Sequence, residues 1–74
     1  MQDSDLVRMA NQISTYFQAY GHDKAVAGTA DHIRAFWDPR MRRRIVEYET
    51  EGGEGLSPVA REAISMLRGD RSAA

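Results

Sequence analysis

The sequence predicts an all-α domain, a small bundle of about four short helices, and three observations carry that prediction. Apolar residues recur at three- and four-residue steps in successive segments, the period of helices with one buried face. Asp38-Pro39 and Ser57-Pro58 each put a good helix N-cap directly before a proline, which suits the first helical position. No segment alternates apolar and polar residues at the two-residue period of a strand.

The elements follow in order. Residues 1–3 are expected to fray, and Asp3 or Ser4 to cap a first helix reaching about Tyr20, where Gly21 stops it. Its apolar face is Leu6, Met9, Ala10, Ile13, Phe17 and Tyr20, with Arg8, Asn11, Gln12, Thr15 and Gln18 opposite and Tyr16 flanking the stripe. Asp3 and Asp5 favour the positive end of that helix dipole. Gly21-His22-Asp23 reads as a turn, with Asp23 capping a second helix to about Trp37. Its stripe is Val26, Ala30, Ile33 and Trp37, with Phe36 beside it. Gly28 costs about 0.5–1 kcal/mol relative to alanine inside a helix, which close backbone packing would offset. The first two helices are expected to form an antiparallel hairpin.

Asp38 is biased out of the α region by the proline that follows, the geometry an N-cap needs. Asp38 and Pro39 therefore make a tight structural corner into a third helix, with Met41, Ile45 and Tyr48 as its apolar line and Val46 beside it. Glu51-Gly-Gly-Glu-Gly55 reads as a flexible loop. The fourth helix opens at Ser57-Pro58, carries Val59, Ala60, Ala63, Ile64 and Leu67, and is expected to end at Gly69 before a loose tail. Residues 1–74 form one domain in this reading, ordered over about 4–68.

Composition narrows the function. A net charge of −1 offers no general attraction to nucleic acid, and the absence of cysteine removes disulfides, thiolate metal ligands and thiol nucleophiles. No apolar run approaches the ~18 residues of a membrane span, and the acidic start does not read as a signal peptide, so the expected location is cytoplasmic. His22 and His32 lack metal-ligand spacing, no triad spacing is present, and the glycines at 52, 53 and 55 follow no strand. The reading is therefore of no catalytic, cofactor-binding or metal-ligating residue in the chain. A single core this small rarely supplies more than about 3–5 kcal/mol, which points to a partner as the remaining source of stability; an isolated copy could also self-associate.

One charge feature breaks a local rule. Helices favour acids in the first turn and bases in the last, yet the third helix opens with Arg40, Arg42, Arg43 and Arg44 and ends with Glu47, Glu49 and Glu51. Arg43 and Glu47 can pair at i,i+4, and Arg42 can lie over the indole of Trp37. A solvated face and a core tryptophan are the bland reading. The sharper one makes Trp37, Arg40, Arg42, Arg43 and Arg44 a partner-binding cluster, on either an acidic protein surface or a nucleic-acid backbone.

Residues Leu6-Val-Arg-Met-Ala-Asn-Gln-Ile13, the run from Gly28 to Trp37 with its His32-Ile-Arg-Ala-Phe-Trp, the corner Asp38-Pro39-Arg40-Met41-Arg42 and the segment Gly53-Glu-Gly-Leu-Ser-Pro58 carry a resemblance. Together, over residues 6 to about 67, they resemble the delta subunit of NAD-dependent formate dehydrogenase. The resemblance implies a small accessory subunit of a cytoplasmic complex whose other subunits hold a molybdenum or tungsten pterin, iron–sulfur clusters and FMN. It implies a role in assembly, stability or cofactor insertion, with the large catalytic subunit as partner and no cofactor in this chain. A small nucleic-acid-binding protein using Arg40–Arg44 is the rival, opposed by the acids at 47, 49, 51 and 54 beside the cluster.

Overall fold

The computed structural model describes residues 2–73, with side chains through residue 69, so the expectations for Met1 and Ala74 lie outside the described residues. Helices α1 (Asp3–Phe17), α2 (His22–Phe36), α3 (Pro39–Thr50) and α4 (Pro58–Ala73) account for almost all of it, and the described residues contain no strand. Helix α2 packs against α1 and α4, while α3 packs against α4 and α1. The core is contributed by every helix: Leu6 and Ala10, Ala30 and Ile33, Ile45 and Val46, then Ala60, Ala63, Ile64 and Leu67, with Trp37 and Leu56 from the connections. Met9, Ile13, Val26, Met41 and Tyr48 pack partly buried at its edges.

The helix starts divide into one expected cap and two that differ. At Asp38 the carboxylate accepts from the Met41 amide at 3.0 Å, with Pro39 at the first helical position. At the chain start the N-cap is Gln2 rather than Asp3 or Ser4, because Asp5 reaches back and accepts from the Gln2 amide at 3.2 Å. Asp3, expected at a frayed end, is the first residue of α1. Helix α2 is capped not by Asp23 but by Gly21, whose φ of 93° and ψ of 161° suit glycine alone. Asp23 sits instead in the first turn, where its charge still complements the dipole.

Two helix ends also differ from the expected ones. After Phe17 the chain tightens into a 3₁₀ turn, Gln18–Tyr20, which rotates Tyr20 off the α1 stripe and leaves it 59% exposed. Helix α4 does not stop at Gly69 but continues to Ala73. Gly28 is approached closely, but by a side chain and not by the backbone expected: a Cβ there would lie 2.7 Å from the Phe17 ring.

The segment read as a flexible loop is held at both ends. Gly52 and Gly53 donate to the carbonyls of Glu49 and Tyr48 at 3.1 and 3.0 Å, a Schellman closure of α3 with Gly52 at φ 129°. The Tyr48 hydroxyl donates to the Glu54 carbonyl at 2.8 Å, and Arg61 donates to the carbonyls of Gly52 and Gly53 at 2.8 and 3.0 Å. Asn11 of α1 spans the other end, donating to the Gly55 carbonyl and accepting from the Ser57 amide, both at 2.9 Å. Ser57 in turn caps α4 through Ala60, and its hydroxyl is shared with that of buried Ser14 at 2.9 Å. Leu56, between these anchors, is inserted into the core.

Candidate interaction surface at the Asp38-Pro39 corner

The corner turns on Trp37, which leaves the helix of α2 with extended backbone and is only 4% exposed. The largest aromatic of the chain is thus a core residue, and its neighbour Phe36, expected beside the core, is 75% exposed. Phe36 is the last helical residue of α2 and Trp37 the first extended one, so the two side chains leave the chain in different directions and only Trp37 faces the core.

The four arginines then separate into two pairs. Arg42 donates to the carbonyls of Trp37 at 2.6 Å and Arg34 at 3.3 Å, neutralising the negative C-terminal end of α2 rather than contacting the indole face. Arg44 makes a two-pronged pair with Asp3, both contacts at 2.8 Å, and reaches Glu51 at 3.3 Å. The i,i+3 contact from Arg44 to Glu47 at 3.5 Å occupies the acid that spacing offered to Arg43. Arg40 and Arg43 remain exposed and, among the described residues, have no charged partner. The inverted charge order of α3 therefore has an internal explanation for Arg42 and Arg44 alone.

The Asp3–Arg44 pair joins α1 to α3, and its bidentate geometry has a titratable consequence. Hydrogen bonding from Arg44 lowers the Asp3 carboxyl below its ordinary value of 3.8, against some desolvation that acts the other way. A carboxyl with a lowered folded-state pKa adds stability that is complete above the ordinary value and is lost as pH falls through the lowered one. Asp3→Asn should therefore melt below wild type at pH 7, and the gap should narrow as pH is lowered from 7 through and below the ordinary carboxyl value of 3.8. Thermal melts of both proteins across that range read it directly; a gap that stays constant would mean the pair contributes nothing through charge.

The two histidines each meet one neighbouring side chain. His22 Nε2 contacts the Glu62 carboxylate across α2 and α4, and the His32 ring lies 4.6 Å from that of Phe36. Among the described residues no three His, Asp or Glu side chains are grouped as metal ligands would be, and the chain has no cysteine to hold a cluster. Among the described residues no helix is long and apolar enough to cross a membrane.

The family model for the NADH-dependent formate dehydrogenase delta subunit, FdsD, matches residues 5–64 of the 74. The chain belongs to that family. It is thus a formate dehydrogenase delta subunit by family, and the expected resemblance holds over α1, α2, α3 and the first half of α4. Searches of curated proteins and of solved structures return no match. The matched region of this delta-family chain contains the corner, the tethered glycine loop and all four arginines.

Of the residues singled out by sequence, the structure keeps Asp38 and Pro39 as the corner, places Trp37 in the core, and engages Arg42 and Arg44 internally. Of the four arginines, Arg40 and Arg43 remain exposed with no charged partner among the described residues. Asn11, Ser14 and Arg61, which organise the loop, were not legible as such. Asn11 lies on the polar side of its helix by spacing, and its partners are 44 and 46 residues away.

Proposed function

We propose that this chain is a non-catalytic accessory subunit of a cytoplasmic, molybdenum- or tungsten-dependent formate dehydrogenase. It docks on the large catalytic subunit and supports assembly, stability or cofactor insertion there. The pterin, iron–sulfur clusters and FMN of such a complex would belong to its other subunits. In this reading Arg40 and Arg43 make the direct contacts, while Trp37, Arg42 and Arg44 hold the corner that presents them. The observation that supports it is the exposed, unpartnered state of those two guanidinium groups at the positive end of α3, where a negative group from outside the helix would compensate them. A nucleic-acid reading has less to rest on, since half of the arginine cluster is spent on internal partners.

The experiment is co-purification from cells expressing the dehydrogenase subunits, with tagged wild-type chain and with a folded Arg40→Ala/Arg43→Ala variant. Wild type should carry the large subunit, and the variant should recover it more weakly by about 2 kcal/mol, roughly thirtyfold in affinity. Undiminished recovery would make both arginines a solvated face. Metal content of the dehydrogenase formed with and without the chain then distinguishes cofactor insertion from structural support.

A further inference from the structure

Three of the six aromatic residues point outward: Tyr16 at 69%, Tyr20 at 59% and Phe36 at 75% exposure. Two of them face each other. Tyr16 and Phe36 stand on opposite walls of one open groove of about 680 Å³ between α1 and the C-terminal half of α2. Met9, Ile13, Phe17 and Trp37 also line it, and no lining residue is an Asp, Glu, Lys or Arg. Tyr16 packs edge-on against Phe17, with ring centres 5.0 Å apart, so the two rings form one continuous aromatic wall. A chain of this size gains nothing in stability from leaving these rings in water, and exposed apolar patches of this kind mark interaction sites.

Charge says what covers the groove. Apart from His32 and the tyrosine its lining has no ionisable side chain of either charge, but it runs to the corner, where Arg40 follows Phe36 by four residues and Arg43 lies one turn further along α3. Both guanidinium groups are unpartnered among the described residues, so a complementary surface must bring carboxylates. A second copy of this chain is poorly equipped to do so. Asp3, Asp5, Asp31, Glu47, Glu49 and Glu51 are held in internal ion pairs, Asp38 is held by its helix cap and Glu62 contacts His22. Among the described residues only Asp23 and Glu54 are left, one in the first turn of α2 and the other in the glycine loop.

We infer that this groove seats an apolar segment flanked by carboxylates, contributed by the catalytic subunit of the formate dehydrogenase. This rests on the accessory-subunit reading and adds to it the face used and the chemistry of the segment. Apolar side chains would enter between Tyr16 and Phe36 over Ile13 and Trp37, and the carboxylates would reach Arg40 and Arg43.

The test is site-directed photo-crosslinking in cells expressing all subunits, with p-benzoylphenylalanine at position 36 and, separately, at exposed Lys24, 12 residues or about 18 Å along α2. Position 36 should capture the catalytic subunit, and the crosslinked peptide should carry at least two carboxylates within about four residues of its apolar attachment point. Position 24 should capture far less. Adding Arg40→Glu and Arg43→Glu to the position-36 protein should lower the yield about tenfold. Capture of a second copy, of nucleic acid or of a carboxylate-free segment overturns the inference, as does an undiminished yield after charge reversal. Capture from position 24 alone, or from both alike, leaves the accessory-subunit reading standing and removes the groove. If neither protein co-purifies with or captures a dehydrogenase subunit, while wild type also fails to co-purify, the accessory-subunit reading falls and the groove with it.

Discussion

Trp37→Ala should abolish cooperative thermal unfolding, leaving a chain with helical signal but no sharp transition. The indole is 4% exposed and closes the core where α2 gives way to α3. Truncating a buried tryptophan costs about 3–5 kcal/mol, which is the whole stability a single core of this size usually provides. No disulfide offsets the loss. Circular dichroism is the readout, because the variant has no tryptophan to report by fluorescence. Trp37→Phe keeps most of the buried ring and should retain a transition at reduced temperature. The pair of variants also separates two roles: if Trp37→Phe folds and still recovers the large subunit, the indole acts through the core and not as a contact. A Trp37→Ala protein that melts like wild type would mean the indole is not the core element described.

The second large effect is expected at Asn11, a residue on the polar side of α1. Its carboxamide donates to the Gly55 carbonyl and accepts from the Ser57 amide, so one side chain fixes the entry to α4. Asn11→Ala removes both bonds, each worth about 0.5–1.5 kcal/mol net, and leaves the half-buried Ser57 amide without its acceptor. A loss of about 1–3 kcal/mol should lower the melting temperature by roughly 4–8 °C for each kcal/mol. Hydrogen exchange gives a local signature, since the Ser57 amide should lose protection before the core does. Asn11→Asp keeps the acceptor and loses the donor, and should fall between the two. An unchanged melting temperature together with unchanged Ser57 protection would show that the loop is held by its glycines and Arg61 alone.

The loop also shows where composition misleads. Three glycines within four residues read as flexibility, yet each of Gly52, Gly53 and Gly55 adopts a positive φ of 129°, 61° and 89°. Glycine is there because a tight closure and a tethered turn need conformations other residues rarely adopt. Its hydrogen bonds come from Tyr48 on α3, Asn11 on α1 and Arg61 on α4, and local sequence cannot announce partners on three other elements. The arginine cluster misleads in the same way. As a run of four bases it reads as one patch, but Arg42 and Arg44 are consumed by the end of α2 and the start of α1.

What the sequence by itself determined is what depends on contacts within one or two turns. The helical period placed Leu6, Ala10, Ala30, Ile33, Ile45, Ala60, Ile64 and Leu67 inward, and the aspartate before Pro39 specified its own cap. The quoted motifs carried the family as well, because they are contiguous residues. Periodicity also set Trp37 on an apolar stripe, but only the tertiary structure decided between core and partner contact for it, left Phe36, Tyr16 and Tyr20 exposed, and determined which arginines are free. A residue at the edge of an apolar stripe faces core or water according to which neighbouring helix arrives beside it. A charged side chain is spent or free according to a partner as far away as the 41 residues between Asp3 and Arg44. Those distances are closed by packing, and no local pattern records them.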